Sequence, residues 1–567
     1  MSETPPTVPM SSTEVLRRLI AGETAAALDG ARRLVEQSPQ GADARYWLSS
    51  ALAATGDAEG AAQALTDGRT LHAIALMRQM GADVPAMSRS AEQASNVAGQ
   101  LYAARYVAAA SVAYGLAIGA GEDRAEPLLS YALSLQHQGR AEEAIPVFRA
   151  VAELYPSAAA SQFLLPPHFY VADGVARHAA EARAWAARHA PPAPARRFTN
   201  PPAAGRKLRI GYVAPSFTQV QVRQFIQPVL DSHDREVVEV FLYPARSEGE
   251  ADVGPDVTVT AIGALDDASA ADLIRGQGID VLIDCWGHNA GSRLAMFAHR
   301  PAPVQAGWLN YQQTTGVAAI DYSLCADSVD APGMAQAFTE TIWRVGPTSA
   351  PFRPDGETPL TPAPALRNGH VTFGAFINPA KLSDETVAAW AAILKGRAES
   401  RLILKYGYFV DPVLCAATAS RFAAHGVDPQ RIEFRGHTTG EAYVAEFGDV
   451  DLALDPSPTP GGTTSLEALS RGVPVLMRTG PTYYSRVGLQ ILIAAGLDEL
   501  VAGDWDDYVA RALSLSADAQ ALDALRDRVR KGFASAVYRD EVRVTRDLEA
   551  ACRGMFAAWE ARRATAA

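Results

Sequence analysis

Two series of short apolar segments in the second half of the chain constrain its fold more than any other feature. From Lys207 onward, runs rich in β-branched residues alternate with segments of helical periodicity. Apolar strands separated by helices are typical of a parallel sheet buried on both faces. A proline-rich stretch at 346–369 separates the two series. The pattern therefore predicts two Rossmann-like lobes, with ligands bound beyond the carboxyl ends of the strands.

The same pattern gives approximate positions for the strands and the lobes. In the first lobe the predicted strands are 208–214, 237–243, 257–262, 279–287, 303–311 and 321–327. In the second lobe they are 370–377, 400–406, 431–436, 450–455 and 473–478. We place the first lobe at 206–350, the second at 370–535 and a C-terminal helix at 536–567.

Helical periodicity without a convincing strand fills residues 13–186, and this region repeats itself. Gly22 and Gly56 are 34 residues apart, as are Ala27 and Ala61. The stretch GRAEEAIPVFRAVAELYP resembles both earlier copies, with about 15 residues inserted between the second and third copies. Such a period predicts stacked helix pairs of the tetratricopeptide (TPR) kind, while a generic helical bundle is the alternative. Residues 1–12 are predicted to be disordered and the Pro/Ala-rich 187–205 to be a linker.

Charge and cysteine usage narrow the class of protein. The 567 residues carry a net charge of -12, which argues against a general nucleic-acid binder but not against a local basic pocket. The four cysteines are far apart and lack metal-ligand spacing, so we interpret them as reduced core residues. No signal-peptide pattern and no apolar window of 18 residues occurs. We therefore expect a cytoplasmic protein without a membrane span.

The stretch LDPSPTPGGTTSLEAL (454–469) is the first candidate for a binding site. It follows a predicted strand of the second lobe and begins a helix at the cleft side. Free N–H groups and the positive end of the helix dipole make such a position suitable for a phosphate. The alternative is that Thr463 or Thr464 serves only as an N-cap.

Three longer blocks, together with the repeats, are similar to one known family. They are HNAGSRLAMFAHRPAPVQAGWLNY (288–311), FGAFINPAKLSDETVAAWAAIL (373–394) and LALDPSPTPGGTTSLEALSRGVPVL (452–476). They resemble the O-GlcNAc transferase/SPINDLY family of protein glycosyltransferases, which use nucleotide sugars and join a TPR array to a GT-B fold. The resemblance runs from the repeats to about residue 535. It implies an α-solenoid followed by a GT-B fold and glycosyltransferase activity.

The resemblance assigns roles to residues that match the family motifs. Lys381, in NPAK, takes the place of the lysine that neutralises the donor diphosphate. Glu467 takes the place of an acidic residue that holds the donor ribose. His437 and Tyr443 lie where the family grips the nucleotide base, although an exposed helix tyrosine is an equal alternative for Tyr443. The remaining predicted donor-binding residues are Asn378, Gly461, Gly462, Thr463 and Thr464.

Departures from the family pattern concentrate on the sugar and acceptor side. In SFTQVQVRQF, Ser216 replaces an acidic residue and Val220 replaces a histidine, and valine exchanges no proton. Gln312 and Gln313 replace a Pro-Gly pair. His288 is the nearest remaining imidazole, as a candidate on the sugar or acceptor side or as a loop-fixing histidine.

Three accounts fit these departures. In the first account, sugar transfer proceeds without the histidine because the protein stabilises the leaving diphosphate. A UDP-GlcNAc-dependent enzyme is then one alternative. In the preferred account the donor sugar is not GlcNAc; an acidic nine-carbon sugar on flagellin is one case, and Arg223 would then meet its carboxylate. In the third, the chain is an inactive scaffold. We expect no metal and no cofactor beyond the donor, a protein acceptor bound by the repeats, and no nucleic-acid partner; the oligomeric state stays open.

Overall fold

The computed structural model describes residues 10–171, 173–194, 197–246, 253–254, 256–329, 331, 333–356 and 361–566. The chain divides into two compact units that interleave along the sequence. The first unit consists of Met1–Val147, Pro362–Pro456 and Asp504–Ala524. The second unit consists of Phe148–Thr361, Ser457–Gly503 and Leu525–Ala567.

The N-terminal region is helical. Helices α2 and α4 begin 34 residues apart, as do α6 and α8, and α7 and α9, so the period found in the sequence is also the spacing of helix starts. The helices are α1 (Ser12–Ile20), α2 (Thr24–Gln37), α3 (Ala42–Ala54), α4 (Ala58–Gln79), α5 (Val84–Met87), α6 (Ala91–Ala103), α7 (Val107–Gly119), α8 (Ala125–Gln136), α9 (Ala141–Leu154), α10 (Ala158–Gln162) and α11 (Gly174–His189).

Small residues explain how these helices pack. Helix α7 is rich in alanine and is buried on several faces, including Ala108, Ala109, Ala110 and Ala113. Short side chains let neighbouring helices approach closely, as repeat arrays require. Of the segment predicted to be disordered, residues 1–9 lie outside the described residues, whereas Ser12 already begins α1.

A seven-stranded parallel sheet forms the first lobe, within the second unit. Its strand order is β3-β2-β1-β4-β5-β6-β7, and the interior strand β1 is buried at six of its seven positions. The strands are β1 (Leu208–Ala214), β2 (Val238–Pro244), β3 (Val257–Val259), β4 (Val281–Asp284), β5 (Val304–Gly307), β6 (Tyr322–Cys325) and β7 (Thr341–Arg344).

The strands of the second lobe are also parallel. In the first unit, the order is β10-β9-β8-β11, formed by β8 (Thr372–Phe376), β9 (Arg401–Lys405), β10 (Ile432–Arg435) and β11 (Leu452–Leu454). In the second unit, β12 (Val475–Arg478) pairs with β13 (Val501–Ala502). The predicted fold class, a helical N-terminal region followed by two Rossmann-like lobes, is confirmed.

Helices alternate with these strands, as the sequence pattern requires. The bounds are α12 (Val220–Ser232), α13 (Asp267–Gly276), α14 (Leu294–Phe297), α15 (Ala365–Asn368), α16 (Asp384–Gly396), α17 (Pro412–Ala424), α18 (Gly440–Ala445), α19 (Thr463–Ser470), α20 (Val487–Ala494), α21 (Trp505–Leu515), α22 (Ala519–Ser535) and α23 (Glu541–Ala566). Apolar residues of α23, among them Leu548 and Met555, join the core of the first lobe. In the part of the chain that the structure describes, no helix has the length and apolarity needed to cross a bilayer.

Candidate active site

The glycine–threonine turn lies at the start of α19, in the second unit. Gly462 is the N-cap residue and Thr463 is the first helical residue. The N-cap alternative for the threonines is therefore wrong, because both lie one or two positions inside the helix. In the first turn of this helix, Leu466 N donates a hydrogen bond to Gly462 O at 3.0 Å. The amides of a first turn have no partner within their own helix and can meet an anion.

A cavity of about 110 Å³ within the second unit brings this turn together with the first lobe. Gly462 and Thr463 line one part of it, and Asn310 and Gln312, from the loop after β5, line another. The other residues around it are Phe225, Leu309, Thr348, Ser349, Ala350, Phe352, Leu466, Val487, Gln490, Ile491 and Tyr538. The wall therefore combines apolar side chains with a few amides and hydroxyls, as small-molecule sites commonly do.

The loop after β5 is held in a strained conformation where it meets the cavity. Leu309 has a φ of 77°, in the left-handed region that non-glycine residues rarely adopt. The Gln312 Nε2 group donates to Leu309 O at 2.6 Å, and the Asn310 Nδ2 group donates to Cys285 O at 3.1 Å. Backbone strain fixed by surrounding hydrogen bonds is common at functional sites.

Aromatic side chains support this loop from within the same unit. The hydroxyl of Tyr311 lies 2.5 Å from His178 Nε2, and the ring of Phe169 packs on both. Burial keeps the pKa of His178 well below its ordinary value, as do the nearby imidazoles of His288 and His168. The pair is therefore neutral at pH 7 and acts as a structural support for the residues before Gln312.

Three predicted residues of the sugar and acceptor side do not line this cavity, as far as the described residues show. The imidazole of His288 is buried, and its Nε2 lies 2.7 Å from Thr315 O, which matches the loop-fixing alternative. Burial lowers the pKa of His288 to about 4. Gln313 is buried, at 3% exposed. Arg223 instead pairs with Asp355 at 3.0 Å, and both side chains are about half exposed.

The remaining predicted residues of this unit are placed by α12 and α19. Val220 is the first residue of α12, and its side chain lies outside the described part of the chain. Gly461 is buried just before α19, and Thr464 and Glu467 occupy its first two turns. Thr464 and Glu467 are half-buried.

The first unit holds the predicted lysine. Lys381 ends a short 3-10 turn, Pro379–Lys381, that follows β8. Asn378 is the N-cap of this turn, and its Oδ1 accepts from Ala380 N at 3.0 Å. Burial lowers the pKa of Lys381, and the carboxylate of Asp455 opposes this change. The lysine is thus a partly desolvated cation, which interacts more strongly with phosphate than a fully hydrated one.

The loop predicted to meet the base is fixed by a buried ion pair in the same unit. Lys405, at the end of β9, lies 2.7 Å from Glu446 and donates to Gly436 O at 2.8 Å. Its ammonium also lies 5.8 Å from the ring centre of Tyr443, on α18. His437 is exposed between β10 and α18. His437 and Tyr443 therefore lie on a loop and on the helix that follows it, and contacts of Lys405 hold both in place.

Comparison with known proteins identifies the family. The profile of glycosyl transferase family 41 matches residues 184–346 and 363–546, which include the β5 loop, the Lys381 turn and the start of α19. The chain belongs to glycosyl transferase family 41. The predicted resemblance to the O-GlcNAc transferase/SPINDLY family of glycosyltransferases is confirmed.

Individual members of family 41 show how far the similarity extends. The probable UDP-N-acetylglucosamine–peptide N-acetylglucosaminyltransferase SPINDLY of Petunia hybrida is 34% identical over 369 residues, covering 62% of this chain and 39% of that protein. The corresponding protein of Arabidopsis thaliana is 32% identical over 369 residues, covering 62% and 40%. The chain spans about two fifths of the length of these curated relatives.

A solved family structure covers nearly the whole chain. A mutant of the Thermobaculum terrenum O-GlcNAc transferase superposes with a TM-score of 0.75 at 27% identity, covering 98% of this chain and 99% of that one. The GT-B fold predicted for the two lobes is therefore confirmed, together with the helical region before them.

Several cavity residues were not predicted from the sequence. Leu309 and Asn310 follow β5, so a prediction that ended this strand at Gly307 would have placed them at the carboxyl edge of the sheet. Ser349 and Gln490 form a hydrogen bond of 3.2 Å. These two residues are 141 positions apart, so no local sequence pattern could predict that they are in contact.

Proposed function

We propose that this chain is a protein O-glycosyltransferase. It moves a sugar from a nucleotide-sugar donor to a Ser or Thr hydroxyl of a polypeptide recruited by TPR-type helical repeats. The relatives named above, which carry the name of probable peptide N-acetylglucosaminyltransferases, support a polypeptide acceptor. The 34-residue spacing of the helices supports a repeat array, an architecture that commonly offers an extended binding surface.

The single observation that carries the proposal is the cavity of the second unit. The amino end of α19 and the strained loop after β5 line the same space, although about 150 residues separate them in the sequence. The helix end suits a phosphate, and the loop offers the amides of Asn310 and Gln312 to a polar group such as a sugar.

The proposed step is a single group transfer. The acceptor oxygen forms a bond to the anomeric carbon while the bond from that carbon to the donor phosphate breaks. The electron pair of the broken bond leaves with the nucleoside diphosphate, or with the nucleoside monophosphate where the donor is CMP-linked. The hydroxyl proton passes to a phosphate oxygen of this leaving group. Lys381 stabilises the charge that develops on the diphosphate, which is the role that the family resemblance implies for it. This account requires neither a histidine at position 220 nor a metal cofactor.

UDP-N-acetylglucosamine is the first candidate donor, because it appears in the names of the relatives. The ion pair of Arg223 with Asp355 weakens the case for an acidic sugar, because the arginine already has a carboxylate partner. Gln312 favours a second candidate, a different sugar, since its amide lines the cavity where the family pattern has proline. Flagellin carrying a nonulosonic acid remains one instance of this second candidate.

Mass spectrometry of an acceptor polypeptide tests the proposal. The full chain is incubated with a peptide library rich in Ser and Thr and with UDP-GlcNAc, GDP-fucose or a CMP-linked acidic sugar in separate reactions. We expect a mass increase of one sugar from a single donor. An increase only with a donor other than UDP-GlcNAc would select the second candidate. No increase with any donor, and no thermal stabilisation by UDP, GDP or CMP, would favour an inactive scaffold.

A further inference from the structure

Turns of the helical repeats contact the loops that follow β8 and β9, all within the first unit. The carboxylate of Asp411, in the loop after β9, accepts hydrogen bonds from Ala108 N at 2.7 Å and Ala109 N at 3.2 Å. Ser50 Oγ, on α3, lies 2.9 Å from Ser420 Oγ on α17. The repeats are therefore packed directly on the lobe that carries Lys381.

The repeats approach the backbone of the Lys381 turn at the turn between α8 and α9. Gly139 has a φ of 78°, and a Cβ at this position would lie 3.2 Å from Pro379 O and 3.6 Å from Leu382 O. These two carbonyls flank Lys381 in the sequence. Two features of this turn require glycine at position 139. The backbone adopts a left-handed conformation there, and the backbone of the Lys381 turn leaves little room for a side chain.

His137 adds a side-chain contact next to this approach. It is the C-cap residue of α8, and its ring centre lies 4.6 Å from that of Tyr408. The imidazole lies beside the side chain of Asn378, whose contact raises the pKa of His137 while the larger effect of burial lowers it to about 4. The Nδ1 atom of His137 is buried and has no hydrogen-bond partner among the residues that the structure describes.

Asn378 connects the side chain of His137 to the backbone of the Lys381 turn. Its Oδ1 caps the 3-10 turn by accepting from Ala380 N, and Lys381 N donates to Asn378 O at 2.9 Å. The side chain of Asn378 also lies beside the phenol of Tyr406, where it partly offsets the rise that burial causes in the Tyr406 pKa. A short continuous path thus leads from the repeat side chain to the backbone of Lys381.

We propose that His137 is a positioning residue for Lys381, supplied to the donor site by the helical repeats. This inference rests on the proposed function, in which Lys381 binds the donor diphosphate. Charge stabilisation of a leaving group depends on tenths of an ångström, so a residue that fixes the N-cap of the Lys381 turn affects diphosphate affinity without touching the donor.

The test is a double-mutant cycle read by UDP binding in calorimetry on the full chain. His137→Phe retains the ring beside Tyr408 but removes the polar group beside Asn378, whereas His137→Gln keeps a polar amide there. We expect His137→Phe to weaken UDP binding about tenfold and His137→Gln to restore most of it. In a Lys381→Ala background, His137→Phe should have no further effect, because the interaction it positions has gone.

Two further variants separate positioning from general damage. Ser50→Ala removes a hydrogen bond of the same repeat–lobe contact, between α3 and α17, that involves no residue of the Lys381 turn, and it should leave UDP affinity unchanged. Gly139→Ala disturbs the Lys381 turn through the backbone and should weaken UDP binding even if the His137 variants fail to fold.

The outcomes that overturn the inference are distinct. Equal weakening by His137→Phe with and without Lys381 would show a general structural role and refute it, as would unchanged UDP affinity in both His137→Phe and Gly139→Ala. If the unmodified chain binds none of UDP, GDP and CMP, the proposed function fails, and this inference fails with it.

Discussion

Replacing Asp411 with alanine should loosen the helical repeats at one specific place. This carboxylate is fully buried and accepts four backbone N–H groups. Two belong to the start of α7, and two, those of Val413 and Leu414, belong to the start of α17. A single side chain therefore caps one helix of the repeats and one helix of the second lobe.

The expected cost follows from those four contacts. Losing an N-cap costs about 1 kcal/mol, and a buried amide left without an acceptor costs about 1–3 kcal/mol. Because Asp411 serves two helices, we expect Asp411→Ala to reduce local stability by roughly 2–4 kcal/mol. This corresponds to about 30- to 700-fold faster hydrogen exchange at the first turn of α7, with tenfold for each 1.4 kcal/mol.

The cost should also depend on pH, in a direction set by burial. Burial raises the pKa of Asp411 to about 6, although the four backbone N–H groups lower it. In the unfolded chain the pKa is about 3.9, so the folded protein takes up a proton between these values. The stabilisation from this protonation is complete below about pH 4 and is lost as the pH rises through 6. Between pH 5 and pH 7 the unmodified chain should lose about 1 kcal/mol from this group, and the alanine variant nothing.

Hydrogen-exchange mass spectrometry at pH 5 and pH 7, corrected for intrinsic exchange rates, measures both effects. We expect faster exchange in α7 and α17 of the variant, a larger deficit at pH 5 than at pH 7, and unchanged exchange in α13 of the second unit. Asp411→Asn is the matched control, since it keeps one acceptor oxygen but cannot titrate. Unchanged exchange in α7 would refute the docking of the repeats. A deficit that grows toward pH 7 would show that the hydrogen bonds outweigh burial.

Three further changes test the site. Thr463→Val keeps the shape of the side chain but removes its hydroxyl from the cavity, so the donor KM should rise about 3- to 10-fold in steady-state kinetics; an unchanged KM would remove Thr463 from the donor site. Leu309→Gly relieves a left-handed φ that costs about 1–2 kcal/mol, but it also removes part of the cavity wall. Sugar transfer should therefore fall while the melting temperature stays the same. A fall in both would contradict the view that the strain at Leu309 serves function. Tyr311→Phe leaves His178 Nε2 buried without its partner, which should destabilise the second unit by about 1–3 kcal/mol in thermal unfolding; unchanged unfolding would show that the pair contributes nothing.

The centres of most strands could be predicted from the sequence, whereas the ends of the strands and two of the edge strands, β7 and β13, could not. The prediction 208–214 coincides with β1, but 279–287 and 303–311 extend beyond β4 and β5. Apolar residues continue into the loops there, because the loops are themselves buried against the core. Strand β7 was not predicted, since it lies at the edge of the sheet and none of its four residues is buried. Strand β13 has only two residues.

In the candidate site, too, some features could be predicted from the sequence and others could not. The start of α19 was predictable because a strand, a glycine pair and a helix follow one another locally. The directions of side chains in the loop after β5 were not, since alternation fails once a strand ends. Gln312 therefore lines the cavity while Gln313, its neighbour, is turned into the core. The role of Arg223 likewise depended on Asp355, which is 132 residues away.

Transfer by Lys381→Ala tests the central claim most directly. Labelled sugar is followed from donor to acceptor polypeptide at saturating acceptor, and capture of the same polypeptide is measured in parallel by pull-down. The account predicts that transfer falls by at least about a hundredfold, as expected when a charge that stabilises the leaving group is lost, while capture is unchanged. Transfer by the variant at the rate of the unmodified chain would contradict the account.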